Sequence, residues 1–258
     1  MGLSCIEAGI LMASLIPCAI VFFVFSKKIY YKLLGVFALT IFSLVLISSG
    51  TRGAWIAAFV SSFYVIVFSM IKKQRFVLSK LTGLFCLAGV LLIILYAWKF
   101  NTELNSPTVI VRYQSLRYGT QDMGFLERVN IWFECFKLSL KYPLGMGFRQ
   151  LYSLGASSQQ YPHSLYFGLL LTSGYIGAFG FIGFIIFLFK KMISYINSTN
   201  EDERQIFIAA TGSTVAFLIY SIFEHPLYNA TVIMPTMWII WGTAMGLWMG
   251  GQKCVSSR

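Results

Sequence analysis

Charged residues are scarce in this sequence: lysine, arginine, aspartate and glutamate together make up only 11% of its 258 residues. An average soluble domain carries about 25%. Acidic residues are the scarcer kind, with nine against 20 lysines and arginines, whereas hydrophobic residues reach 57%. This composition excludes an ordinary soluble globular fold and indicates a membrane protein.

Several motifs of well-known enzyme sites are missing as well. The sequence has no Gly-x-Ser-x-Gly elbow, no P-loop, no HExxH and no aspartate pair of the kind that holds a divalent metal on a nucleotide sugar. Its five cysteines form neither a CxxC motif nor a Cys/His cluster with metal-ligand spacing. We therefore expect a chemistry that uses no metal and no other cofactor.

Apolar residues are instead gathered into seven blocks, at 3–25, 33–48, 54–71, 81–98, 164–189, 206–223 and 232–249. A membrane span needs about 20 mainly apolar residues, and in lipid its backbone must satisfy its own hydrogen bonds, so these blocks must be helices. The blocks predict an all-α polytopic membrane protein with about seven transmembrane helices. The predicted regions are helices 1–4 at 1–98, a long extracytoplasmic (periplasmic) loop at 99–162, and helices 5–7 with a cytoplasmic tail at 163–258.

The basic residues indicate which side each connection faces. They are concentrated in three short connections, around 26–32, 72–80 and 190–205. Because lysine and arginine resist translocation, these connections are predicted to be cytoplasmic and the 99–162 loop to face the other side. The positive charge is divided among thin loops rather than gathered on one face, so no nucleic-acid partner is expected.

The long loop contains a helix-like run at 124–142. Apolar residues recur there at helical spacing, namely Phe125, Val129, Trp132, Phe133 and Phe136. Charged residues take the other faces, namely Glu127, Arg128, Glu134, Lys137 and Lys141. This pattern predicts an interfacial amphipathic helix whose aromatic face meets lipid or the helix bundle.

Two residues at the outer ends of spans are candidates for chemistry. Arg52 is either a snorkelling anchor beside Trp55 or a ligand for an anion, and its place on the side that usually lacks arginine favours the second. His163 begins the fifth span and is either a hydrogen-bonded structural residue or a base of near-neutral pKa. Both are predicted to lie on the outer side of the membrane.

Further arginines are predicted on that side, namely Arg112, Arg117, Arg128 and Arg149. Guanidinium groups around a base fit a phosphorylated, anionic substrate at the membrane surface. Alternatively, Arg128 pairs with Glu127 or Glu134, or is solvated. His225 is a weaker candidate and is interpreted first as a turn residue. The five glycines of the fifth span from Gly168 to Gly183 fit close helix packing.

Three motifs in order around the long loop resemble those of the bacterial O-antigen ligase and O-antigen polymerase superfamily. They are SGTRGAW at 49–55, RVNIW at 128–132 followed by YPLGMG at 142–147, and HSLY at 163–166 followed by GYIG at 174–177. The resemblance runs from about residue 33 to residue 184 and keeps the expected sidedness.

The resemblance implies a metal-independent glycosyltransferase of the bacterial inner membrane. Its donor would be an undecaprenyl-diphosphate-linked glycan, and its acceptor a lipid A core or another lipid-linked glycan; some relatives modify protein serines. Carried over by motif, Arg52 and Arg128 would hold the departing diphosphate, and His163 would activate the acceptor hydroxyl. Arg112, Arg117 and Arg149 would be additional cations near the substrate.

Two features differ from the pattern common in that superfamily. Many members have asparagine where Ser164 stands and an acidic residue where Thr172 stands. Members also usually have further spans upstream, so this chain is expected to correspond to the C-terminal part of the membrane domain. The alternatives are a transporter or lipid-binding membrane subunit that handles an anionic lipid, and an inactive truncated family member.

Overall fold

Helices account for nearly all of the regular structure in the computed structural model, which describes residues 5–71, 123–147, 162–197, 200–224 and 233–256. In chain order they are α1 (Cys5–Phe25), α2 (Ile29–Ser48), α3 (Arg52–Ile71), α4 (Met123–Lys141), α5 (Leu165–Ile196), α6 (Glu201–Phe223) and α7 (Ile233–Ser256). No strand occurs within those ranges. The predicted all-helical architecture is therefore confirmed for the described residues.

Five of these helices are long and apolar enough to cross a membrane. The candidate spans are Ile6–Phe25, Ile29–Ser48, Arg52–Ser69, Leu165–Ile196 and Glu203–Phe223. They coincide with five of the seven predicted blocks. Of the other two, the block at 232–249 forms most of α7, which does not meet the same criterion, and the block at 81–98 lies outside the described residues.

The helices belong to two compact units, each with its own packing. The first contains α1–α3, α7, the part of α5 from Leu188 and the part of α6 up to Tyr220. The second contains α4, the part of α5 up to Phe187 and the end of α6 from Ser221.

Small residues bring the helices of the first unit close together. α1 packs against α2, α3 and α7. A Cβ on Gly35 of α2 would lie 2.7 Å from the backbone nitrogen of Phe23 in α1. The α1–α6 contact is similar, because a Cβ on Gly212 would collide with Pro17 and Val65. Close backbone approach of this kind is typical of helix packing in lipid, where dispersion rather than water exclusion holds helices together.

In the second unit, α4 runs alongside the first part of α5 in the same direction. Trp132 stacks on Phe167 with ring centroids 5.8 Å apart, and two turns later the Ser139 and Tyr175 hydroxyls are 3.1 Å apart. Between them Cys135 packs in one buried cluster with Leu171. The helix predicted at 124–142 is thus confirmed to within one residue at each end.

Around its axis α4 has three distinct sides. The first packs on α5 through Trp132 and Cys135. The second is an exposed apolar stripe at i, i+3, i+7, i+10 and i+14, formed by Leu126, Val129, Phe133, Phe136 and Leu140. The third is polar and exposed, and includes Glu127, Asn130 and Glu134. The predicted aromatic face is therefore divided, with Trp132 packed on Phe167 of α5 and Phe133 and Phe136 exposed. The interfacial position of this helix stays a prediction.

Replacing Gly35 by alanine should destabilise the first unit, because the new methyl group meets backbone atoms that cannot rotate away. We expect a loss of roughly 1–3 kcal/mol, typical of overpacking. Gly246→Ala in α7 is the matched control, since no described residue lies within 4 Å of its Cβ position and alanine favours the helix by about 1 kcal/mol. Thermal unfolding of both variants in detergent measures the difference. A Gly35→Ala melting temperature equal to or above that of Gly246→Ala would contradict this packing.

Candidate functional site

His163 lies immediately before α5 in an unusual backbone conformation. Its φ is 38°, and it is the only described residue other than glycine with a positive φ. The preceding residue is held in place, because Pro162 is buried and its carbonyl accepts a 2.8 Å hydrogen bond from the Trp132 indole. Strained conformations of this kind persist only where the surroundings fix them, and they concentrate at functional sites.

Glu224, just beyond the end of α6, joins His163 to α4. One carboxylate oxygen, Oε2, lies 3.3 Å from Nδ1 of His163, and the other, Oε1, lies 3.4 Å from an Nη of Arg128. The Glu224 backbone carbonyl also accepts a 3.2 Å hydrogen bond from the Leu165 N–H at the start of α5. Its side chain is only 9% exposed. A buried carboxylate needs such partners, since an unpaired one would be strongly destabilising.

Arg128 is fixed from two directions but still reaches solvent. Its other Nη donates a 2.9 Å hydrogen bond to the backbone carbonyl of Phe223, and its side chain remains 35% exposed. The alternative that paired Arg128 with Glu127 or Glu134 is wrong, because the partner is Glu224 and Glu134 instead pairs with Lys137 at 2.8 Å. A half-exposed guanidinium held in this way presents a fixed positive charge beside His163.

These contacts define an Arg–Glu–His cluster, consisting of Arg128, Glu224 and His163. Three elements supply it: α4, the end of α6 and the start of α5. The Glu224 carboxylate lies against both the guanidinium and the imidazole, and the His163 side chain remains 37% exposed. The cluster therefore places a partly exposed histidine and a partly exposed arginine on one buried carboxylate.

Arg52 belongs to the first unit and is described there by itself. It is the first residue of α3, after a tight turn in which Gly50 has a φ of 60°. Ser49 and Thr51 in that turn are buried, and the Trp55 indole donates a 2.8 Å hydrogen bond to the Leu46 carbonyl. The turn thus fixes the backbone from which Arg52 extends.

Four further candidates, Arg112, Arg117, Arg149 and His225, lie outside the described residues. The two positions that differ from the superfamily pattern are both buried and bonded locally. The Ser164 hydroxyl donates to the Ser221 carbonyl at 3.4 Å, and the Thr172 hydroxyl donates to the Gly168 carbonyl at 2.8 Å. Among the described residues the carboxylate of this region is therefore supplied by Glu224.

Glu224 is not among the site residues predicted from the sequence, although the sequence contains one signal for it. It is the only acidic residue after Glu203, and it directly follows an apolar block. An ionisable residue at the end of a span is costly unless it is paired, which marks it as a site candidate by default. Its partner His163, just before α5, is 61 residues away in the chain, so no local pattern reveals the pairing.

Cys135, in the middle of α4, is too buried to act as a nucleophile. It is 4% exposed, and burial, with a smaller contribution from the Glu134 carboxylate, raises the pKa of its thiol from 9.0 to about 12. The thiolate is the reactive form of cysteine. The thiol therefore acts as a small apolar group against α5.

We expect Cys135 to resist alkylation in the folded protein at pH 8, where the raised pKa leaves only about one thiol in ten thousand ionised. Asn130→Cys, exposed on the polar side of the same helix, should react rapidly and serves as the control. Site-resolved mass spectrometry after maleimide treatment measures both. Equal reactivity of the two thiols would contradict the burial.

Since the pKa is raised above 9.0, the stabilisation of the folded protein from burying the neutral thiol should be full below pH 9 and fall as the pH approaches 12.

Comparison with known proteins identifies the family. The O-antigen ligase family matches residues 37–182, more than half of the chain, and this region includes all three motifs around Arg52, Arg128 and His163. A search of curated protein sequences found no match. The family match agrees with the several apolar helices and with a role in glycan assembly at a bacterial membrane. This chain belongs to the O-antigen ligase family.

Proposed function

We propose that the protein is a membrane glycosyltransferase that moves a glycan from an undecaprenyl-diphosphate-linked donor to an acceptor hydroxyl. The acceptor is another lipid-linked glycan or a lipid A core, so the proposal covers both polymerase and ligase reactions of surface polysaccharide assembly. The observation that carries it is the Arg–Glu–His cluster, which holds a base and a cation on one buried carboxylate.

His163 acts as the general base. In the tautomer with its proton on Nδ1, the ring donates to Glu224, and Nε2 is the nitrogen that takes the proton of the acceptor hydroxyl. The carboxylate also stabilises the imidazolium formed after proton transfer, as the acidic member of a hydrolase triad does. Glu224 is thus a positioning residue for His163.

The acceptor oxygen forms its bond to the anomeric carbon while the bond from that carbon to the diphosphate oxygen breaks. The electron pair of the broken bond stays with the leaving undecaprenyl diphosphate, and the hydroxyl proton moves to His163. Negative charge grows on the diphosphate, and a fixed guanidinium lowers the barrier most when it lies where that charge develops. Arg128 provides this charge next to His163, and Arg52 is assigned the same role from its motif.

The reaction is proposed to need no metal, because two arginines can take the place of a divalent cation on the leaving diphosphate. The distribution of lysine and arginine supports a site that faces the periplasm, with residues 99–162 as the extracytoplasmic loop. In this arrangement the exposed apolar stripe of α4 rests in the outer lipid layer, at the level where the diphosphate of a lipid-linked donor lies.

His163→Ala should lower kcat by about 10²- to 10⁴-fold and change the KM for donor little, because it removes the base and not the diphosphate contacts. The assay is conversion of purified lipid-linked glycan by the protein in liposomes without added metal, with the product measured by mass. Full turnover of this variant would contradict the base assignment. If the wild-type protein moved the lipid but formed no covalent product, the protein would be a transporter and the proposed function would be wrong.

Arg128→Ala should lower kcat/KM for the donor by about 10²- to 10³-fold, the usual cost of losing a donor to developing negative charge. Lys137→Ala is the matched control, since it also removes one cation and one ion pair from α4, but on the exposed polar side. Arg52→Ala, measured in the same assay, should behave like Arg128→Ala. Similar activities of the Arg128→Ala and Lys137→Ala proteins would argue against a specific diphosphate site.

A further inference from the structure

α5 is interrupted at Gly174. This residue has a φ of 67° and a ψ of −168°, a conformation essentially restricted to glycine. In an unbroken helix the N–H of Tyr175 would donate to the carbonyl of Leu171, four residues earlier. The break separates these two groups, and each needs another partner, because unsatisfied backbone groups cost several kcal/mol in apolar surroundings.

The turn after α4 supplies both partners. The N–H of Met146 donates to the Leu171 carbonyl at 2.7 Å, and the N–H of Tyr175 donates to the Pro143 carbonyl at 3.0 Å. The turn after α4 therefore lies between the two halves of α5 and takes up the two backbone groups that would have bonded to each other in an unbroken helix. We call this arrangement, formed by residues 143–146 and 171–175, the backbone bracket.

The bracket depends on two glycines in direct contact. A Cβ on Gly174 would collide with the Pro143 oxygen and lie 2.6 Å from the Gly145 nitrogen. A Cβ on Gly145, which has a φ of 86°, would lie 2.6 Å from the Thr172 oxygen. The space and the backbone conformation both require glycine at these two positions.

The bracket fixes α4 along α5 at the end opposite the Arg–Glu–His cluster. From the bracket, α4 leads back along α5 through Ser139, Cys135 and Trp132 to Arg128, while α5 leads back to His163. The two helices are packed side by side over this length, so a shift at the bracket moves Arg128 relative to His163. Side chains in a packed interface transmit such a displacement because voids are few.

We infer that Gly145 and Gly174 are positioning residues, which set the place of Arg128 opposite His163 through the backbone bracket. This inference rests on the proposed function, in which Arg128 and His163 act on the same substrate. It also explains why the YPLGMG and GYIG motifs occur together in one sequence: the first provides the turn and the second provides the break into which it inserts.

The test combines Gly174→Ala and Gly145→Ala with Arg128→Ala in the liposome assay. Each glycine variant should lower kcat/KM for the donor by about 100-fold, the cost of a displacement of about 1 Å. In the Arg128→Ala background the same glycine substitutions should lower kcat/KM by less than about threefold, because the guanidinium that they would displace is already absent. Gly180→Ala, whose Cβ would meet no described residue within 4 Å, should keep wild-type activity. Gly147→Ala, at a φ of 76° and likewise without a described neighbour within 4 Å of its Cβ, controls for backbone strain and should combine multiplicatively with Arg128→Ala.

Hydrogen exchange at the Met146 amide reports the bracket itself, and the amide should exchange faster in both glycine variants. If Gly174→Ala does not accumulate in a folded form, Tyr175→Pro removes the N–H bonded to Pro143 together with the side chain, at a helix start where proline is tolerated. Its matched control is Tyr175→Ala, which loses the side chain but keeps the N–H. Tyr175→Pro should then show the larger loss and the same non-additivity with Arg128→Ala.

Two results would overturn the inference. One is full activity in a variant whose Met146 amide exchanges faster than in the wild type. The other is a loss of kcat/KM that multiplies with the loss caused by Arg128→Ala. His163→Ala separates this failure from that of the proposed function. If His163→Ala is inactive while the bracket variants are fully active, only the positioning role is wrong. If His163→Ala is itself fully active, the proposed function is wrong.

Discussion

The Glu224 carboxylate, buried between a guanidinium and an imidazole, is the interaction on which the second unit depends. A carboxylate that is 9% exposed carries a large desolvation cost, and the cost is offset only while Arg128 and His163 stay within reach. The three residues come from α4, from the segment just before α5 and from the residue just after α6, so one charge holds three chain segments together. The same contacts keep the guanidinium and the imidazole partly exposed, where the proposed lipid-linked substrate would bind.

Two sparsely populated backbone conformations occur in this unit, one at each end of the α4–α5 contact. His163, in the cluster, has a φ of 38°, and Gly174 interrupts α5 about three turns further on. Such conformations persist where the surroundings fix them. The buried Pro162, its hydrogen bond from Trp132 and the backbone bracket supply that constraint. α4 therefore both supplies Arg128 and holds the start of α5 in place.

Much of the helical architecture was predictable from the sequence, because the apolar blocks are long and the period of α4 is regular. The contacts between residues far apart in the chain could not be predicted in the same way. The sequence indicated Arg128 and His163 by motif, but Glu224 is 61 residues from His163, and only the fold brings them together. Gly174 was interpreted as a packing residue; its real role depends on a hydrogen bond from a turn on another segment. At Gly180 and Gly183 an added Cβ would meet nothing within 4 Å among the described residues, so the predicted close packing there stays a prediction.

The central claim is that Glu224 and His163 work as one unit, and a double-mutant cycle on turnover tests it most directly. Glu224→Gln keeps the shape of the side chain but removes the charge that orients and stabilises the imidazole. The account predicts that Glu224→Gln alone lowers kcat by at least about tenfold, and that adding it to His163→Ala causes almost no further loss, as for residues that act together. If the two losses multiply, Glu224 acts independently of His163, and the account is contradicted.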